Sequence, residues 1–130
     1  MSIIKRFDLT GSVAVITGGG RGIGRGIALA YAEAGADVVL AARTLSDVEA
    51  VAEEVRSLGR RALAFACDVT VDEQRSALIE QAREYMGAIT HLVNNAGGAG
   101  PNDPLTLSVE RFEEILRFNV SSAYHLCQLC

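Results

Sequence analysis

The chain has 130 residues, with no tryptophan, two prolines, three cysteines and a single lysine, Lys5. Each scarcity excludes something. Cys67, Cys127 and Cys130 are odd in number and lack pairing spacing, which excludes a disulfide framework. Cys127-x-x-Cys130 falls late in a helical pattern with no second pair to complete a zinc site, so it reads as two small apolar side chains on a helix face. Neither His91 nor His125 has a cysteine or carboxylate at ligand spacing, and no metal is expected. Lysine and arginine total 12 against 16 acidic residues, a net charge of −4, and no basic stripe exists to neutralise nucleic-acid phosphates. No apolar run approaches a membrane span, and Met1 to Arg6 contains no signal-peptide core. A cytoplasmic protein without nucleic-acid or membrane partners is therefore expected. At 49% hydrophobic the chain is too apolar for disorder and suits one compact domain over residues 1–130, with no interdomain linker. The two prolines, Pro101 and Pro104, exclude regular structure from the polar segment Gly97 to Asp103.

What is present is an alternation of strand and helix patterns. Val13 to Ile16 reads as a first strand and Gly22 to Ala34 as a helix stopped by Gly35. Asp37 to Ala42 reads as the second strand. Thr44 with Asp47 predicts a capping box for a helix ended by Gly59. Ala62 to Ala66 is the third strand, and Thr70 with Glu73 predicts a second capping box for a helix through about Tyr85. Ile89 to Val93 is the fourth strand. A last helix starts near Ser108, with Phe112, Ile115, Leu116, Val120, Ala123, Cys127 and Cys130 on one face. Glu53-Glu54 and Glu113-Glu114 read as solvated helix faces. Strands apolar on both sides, joined by helical crossovers of this length, predict an α/β fold: a doubly wound parallel sheet, Rossmann-like, in the order 3-2-1-4.

The most informative segment is Thr17-Gly18-Gly19-Gly20-Arg21-Gly22-Ile23-Gly24, between the first strand and the first helix. Glycines allow a tight turn and a close approach of backbone to ligand. The helix N-terminus behind them offers free N–H groups to an anion. The alternative is a purely structural turn. The flanking strand and helix favour a dinucleotide site.

The strict Gly-x-Gly-x-x-Gly spacing is absent; the glycines run Thr-Gly-x-x-x-Gly-x-Gly, with Gly18, Gly22 and Gly24 in register. Together with Asn94-Asn95-Ala96-Gly97 after the fourth strand, Cys67-Asp68-Val69-Thr70 after the third, and Asn119 in the last helix, the chain resembles the compact branch of the short-chain dehydrogenase/reductase family from about Leu9 onward. The resemblance implies that Gly18, Gly20, Gly22, Ile23 and Gly24 wrap the cofactor pyrophosphate and ribose. It implies that Asp68 accepts from the adenine amino group with Val69 beside the ring, the alternative for Asp68 being a turn aspartate. It further implies that Asn95, Ala96 and Gly97 border the adenosine ribose, and that Asn119 is catalytic, holding a water of a proton relay near a break in the helix. In NAD-binding members an acidic residue ends the second strand. Here Ala42 takes that place, followed by Arg43. Arg21 and Arg43 together favour NADP(H) through charge-assisted contacts to a 2′-phosphate, with NAD(H) possible if both are merely solvated.

The family's serine, and its tyrosine and lysine four residues apart, have no counterpart here. Tyr31, Tyr85 and Tyr124 have no lysine at that spacing. The chain is therefore expected to be the cofactor-binding half of a longer oxidoreductase, its sheet incomplete on the C-terminal side and the segment alone inactive. The implied substrate is a small carbonyl or secondary alcohol, with bacterial hydroxysteroid dehydrogenases and 3-oxoacyl-carrier-protein reductases as similar enzymes. A homo-oligomer, dimer or tetramer, is implied through the last helix. The competing reading is an inactive NADP(H)-binding sensor or scaffold.

Overall fold

The computed structural model describes residues 2–130. A short 3-10 turn at Ile3–Phe7 precedes β1 (Val13–Thr17), α1 (Gly22–Glu33), β2 (Asp37–Ala42), α2 (Leu45–Ser57), β3 (Ala62–Ala66), α3 (Asp72–Met86) and β4 (His91–Val93). Helix α4 (Val109–Leu116) then runs through a π-turn at Arg117–Ser121 into α5 (Ser122–Leu129). The sheet is parallel in the order β3-β2-β1-β4, as the alternation predicts.

Alternation along the inner strands builds a core on each face of the sheet. Val13, Val15, Val39 and Ala41 pack with Leu78, Ile79 and Ala82 of α3 and Leu126 of α5. Ile16, Val38 and Leu40 pack with Ala28 and Ala32 of α1 and Val48, Val51 and Val55 of α2. All of β1 is buried and most of β2, whereas β3 and β4 are half-buried at the two edges. A central parallel strand needs apolar side chains on both faces, which accounts for the unbroken run Val13 to Ile16.

Several boundaries and caps differ from the sequence expectations. Strand β4 begins at His91 rather than Ile89. The Thr90 hydroxyl accepts from the Val13 amide at 2.9 Å and donates to its carbonyl at 3.1 Å, so a side chain takes up the strand partner just before the ladder begins. Thr44 occupies the N-cap of α2 but its side chain makes no capping bond. Thr70 does not cap α3. Its hydroxyl is committed to Asp68 at 2.6 Å, and the helix starts two residues later behind Val71. Ser108 does cap α4, accepting from the Arg111 amide at 3.1 Å.

The largest correction concerns the last helix. Its predicted apolar face is not the packed one: Phe112 is 52%, Leu116 42% and Val120 57% exposed. Phe118, Leu126 and Leu129 meet the core instead, with Ser122 buried beside them. The π-turn inserts an extra residue into the winding and so rotates α5 relative to α4, and only α5 docks on α3. Cys127 and Cys130 are exposed and free, and Cys67 is buried. Burial pushes the Cys67 thiol up to about 11. His91 stacks edge-on against Tyr31, with ring centroids 5.9 Å apart.

One ion-pair cluster anchors the start of β2. Asp37, 6% exposed, receives Arg60 at 2.9 Å, Arg61 at 2.8 Å and the Arg61 amide at 3.0 Å. Burial is the largest single influence on its carboxyl and acts upward. The Arg61 hydrogen bonds and the two guanidinium charges together outweigh it and leave the group below its ordinary value. A carboxyl lowered by folding stabilises the fold above its unfolded pKa, and the contribution disappears as pH falls through the lowered folded value. Asp37→Asn is expected to cost about 2 kcal/mol at neutral pH. In urea titrations the gap between wild type and variant should close as pH falls below about 4; a gap independent of pH would contradict the assignment.

Candidate functional site

The carboxyl ends of β1, β2, β3 and β4 open on one side of the sheet, and a cavity of about 710 Å³ lies across them. In open α/β sheets this crevice is where ligands bind. Of the nucleotide-binding residues expected from sequence, Gly18, Gly20, Arg21, Gly22, Ile23, Arg43, Asp68, Val69, Asn95, Ala96 and Gly97 all line it. Gly24 does not; it lies beneath the wall as part of the turn's support.

The turn after β1 shows why its glycines are needed. Gly22 has φ +56, a left-handed conformation, and a Cβ there would meet nothing within 4 Å, so the backbone faces open space. Gly24 is different: a Cβ would sit 2.1 Å from the Gly18 carbonyl oxygen, so only hydrogen lets the first turn of α1 approach the end of β1. Arg21 holds the N-cap position of α1 with no side-chain capping bond, and the first turn contains no acidic residue. The amides of Gly22 to Gly24 are thus left for an anion. A bare backbone cradle facing an uncapped helix start fits a pyrophosphate.

A polar clasp holds this turn against the strand β4 exit. Thr17, 1% exposed, accepts from the amides of Asn95 at 3.1 Å and Ala96 at 3.0 Å. The Asn95 side chain donates to the Gly18 carbonyl at 3.1 Å. Asn94 points away, donating to Cys127 Sγ at 3.5 Å. Thr17 carries no expected role in the sequence reading. The signal that marks it is a hydroxyl ending an otherwise apolar strand.

On the β3 side, Asp68 accepts from the Thr70 hydroxyl at 2.6 Å and the Thr70 amide at 2.9 Å, both through Oδ1. These bonds, hydroxyl first, hold its carboxyl below the ordinary value against the opposing effect of burial, and the charge of Arg43 adds to the lowering. Asp68 is therefore a turn aspartate that also lines the cavity. Four arginines line the cavity, Arg21, Arg43, Arg111 and Arg117, along with the carboxylates Asp47, Asp68 and Glu114. Arg111 is engaged with Glu114 at 3.1 Å and the Ala99 carbonyl at 3.2 Å.

Asn119 sits in the π-turn, outside the cavity wall. Its Oδ1 accepts from the Gly98 amide at 2.8 Å, and its Nδ2 donates to the carbonyls of Gly98 at 2.8 Å and Ile115 at 2.9 Å. The side chain thereby splints the loop after β4 to the helix break. A Cβ on Gly97 would lie 2.6 Å from its Oδ1, so a larger residue there would displace the Asn119 side chain. Among the described residues no group of three or more histidines, cysteines and carboxylates could hold a metal ion. No helix there is long and apolar enough to cross a membrane.

A parallel β3-β2-β1-β4 sheet with a glycine turn at its switch point defines a Rossmann-like α/β protein. The short chain dehydrogenase model matches residues 12–130, and the chain belongs to that family. It is 47% identical over 124 residues to an uncharacterized oxidoreductase of Mycobacterium tuberculosis, covering 95% of this chain and 47% of that protein. It is 41% identical over 121 residues to the 7α-hydroxysteroid dehydrogenase of Escherichia coli, covering 93% and 47%. Among solved structures, a short-chain dehydrogenase/reductase from Mycobacterium marinum superposes with a TM-score of 0.93 at 40% identity, over 99% of this chain and 52% of that one. A 7α-hydroxysteroid dehydrogenase complexed with NADH and 7-oxo glycochenodeoxycholic acid gives 0.94 at 40% identity, over 99% and 50%. The chain thus spans about half the length of the curated relatives it matches.

The Thr17 clasp yields a direct test. Thr17→Val leaves the Ala96 amide without its acceptor and the Asn95 amide with the Val93 carbonyl alone, and a loss of about 2 kcal/mol is expected in urea unfolding. A change under about 0.5 kcal/mol, the usual range for surface substitutions, would show that the clasp is dispensable.

Proposed function

We propose that the chain is the NADP(H)-binding part of an oxidoreductase that moves a hydride between the nicotinamide and a carbonyl or secondary alcohol, of ketoacyl, steroid-like or other small-ketone type. The observation that carries this reading is the shared cavity in which an uncapped helix start, the glycine turn, Asp68 and two arginines converge on the strand ends. In this arrangement Gly18, Gly20, Gly22 and Ile23 would hold the pyrophosphate, with Gly24 supporting the turn from beneath. Asp68 accepts from the adenine amino group with Val69 alongside, and Asn95, Ala96 and Gly97 border the adenosine ribose. A nicotinamide held by these residues would give or take the hydride. Asn119 is the catalytic candidate; with its side chain committed to Gly98 and Ile115, a relay water at the helix break would be held by backbone groups there.

The preference for NADP(H) rests on the end of β2. Ala42 offers no carboxylate to bind a ribose diol or repel a phosphate, and Arg43 and Arg21 border the same cavity. NAD(H) is the second reading, favoured by the NADH in a similar solved structure and by Asp47 in the cavity wall. The exposed row Val109, Phe112, Leu116, Val120 and Tyr124 supports assembly of two or more copies through α4 and α5.

Each charge-assisted contact to a 2′-phosphate contributes about 1.5–3 kcal/mol. NADPH is therefore expected to bind at least about tenfold more tightly than NADH in calorimetric titrations, and Arg43→Ala to remove most of that difference. Equal affinities in the wild type would assign the site to NAD(H) or to both nucleotides; binding of neither would refute the dinucleotide reading.

A further inference from the structure

The loop on the adenine side of the cavity, Cys67 to Thr70, is held from the first turn of α3. Gln74 Oε1 accepts from the Asp68 amide at 2.7 Å, and Arg75 Nη1 donates to the Val69 carbonyl at 2.5 Å. Arg75 is only 4% exposed and does not line the cavity. Its Nε donates to His125 Nδ1 of α5 at 2.9 Å, and its Nη2 reaches the Asp72 carboxylate on its own helix. A guanidinium donates only, so the His125 ring must offer a lone pair at Nδ1 and carry its proton on Nε2.

A charge withdrawn from water persists only where acceptors meet its N–H groups. Here the acceptors come from three places: the loop, α3 itself and α5. A hydrocarbon at position 75 would fill the same space between α3 and α5 without fixing the direction of any carbonyl. The guanidinium fixes it. With the Val69 carbonyl drawn to Arg75 and the Asp68 amide drawn to Gln74, the peptide between them has one orientation, and the Asp68 side chain is left on the cavity wall. Helix α5 in turn follows the π-turn that carries Asn119. One buried side chain thus ties the β3 side of the cavity to α5, which continues from the π-turn whose Arg117 and Phe118 line the cavity.

We infer that Arg75 is a positioning residue for the nucleotide, orienting the Asp68–Val69 loop through the Val69 carbonyl and locking it to α5 through His125. The inference rests on the reading of the cavity as a dinucleotide site. It is tested on the full-length protein by titrating NADPH, NADH and ADP-ribose, well below the unfolding temperature, with folding verified by circular dichroism. Arg75→Met is expected to weaken the tighter-binding dinucleotide about tenfold, and ADP-ribose by a similar factor because the loss lies on the adenosine side. Hydrogen exchange at the Asp68 and Thr70 amides should quicken in parallel. His125→Phe removes the Nε acceptor while leaving the loop sequence intact, and is expected to weaken binding severalfold; it carries the test if Arg75→Met does not fold. A lowered unfolding temperature with unchanged nucleotide affinity in the folded variants would overturn the positioning role alone, reducing Arg75 to a packing residue. Failure of the wild type to bind any of the three ligands would overturn the dinucleotide reading and the positioning role with it.

Discussion

At the carboxyl end of β1 the Thr17 hydroxyl gathers the amides of Asn95 and Ala96, and the Asn95 side chain returns to the Gly18 carbonyl. These bonds join the exits of two parallel strands whose next residues diverge, one into the glycine turn and one into the loop toward α4. Without them the ladder would end at Val93, and neither exit would have a defined direction. With them the cavity acquires a floor. The Gly24 backbone can then rest on Gly18, and the free amides of the first helical turn face the space above. Because the Thr17 hydroxyl is buried and fully engaged, the clasp is a high-stakes polar network: complete it gives rigidity, and incomplete it leaves buried donors unpaired.

The same logic recurs on the other side of β1. Asp68 and Thr70 satisfy each other within the loop, while Gln74 and Arg75 reach back from α3 to the loop backbone. The cavity is therefore bordered by irregular segments whose polar groups are anchored to regular ones. A prearranged loop loses little conformational entropy when a ligand binds, so this anchoring suits a binding site. Asn119 serves a comparable purpose at the far end, where the π-turn interrupts the helix and its amide ties the interruption to Gly98.

Much of this was legible in the residues. The strands β1 to β3 and the sheet order follow from short apolar runs separated by helical periodicity, because a doubly covered parallel strand admits little else. The wall of the cavity was legible because the glycine spacing, Asp68 and Asn95 to Gly97 together carry the family resemblance, which implied their place at the strand ends. The capping boxes at Thr44 and Thr70 were not: Thr44 sits at the N-cap without accepting from the helix, and the Thr70 hydroxyl donates to Asp68 while α3 starts later, behind Val71. The late start of β4 likewise turned on the Thr90 hydroxyl, a side chain imitating backbone.

The residue pattern alone was enough for the fold class, through strand and helix periodicity, and for the family and most of the residues that line the cavity, through the motifs that carry the family resemblance. Only the tertiary structure decided which face of the last helix packs, that Thr17 and Arg75 are the fasteners of the cleft, and that Asn119 splints Gly98. Each of these depends on a contact between segments far apart in the chain: Arg75 meets His125 fifty residues on, and Thr17 meets Asn95 and Ala96 across the sheet. The π-turn rotates α5 relative to α4, a change of winding that a regular helical period cannot express.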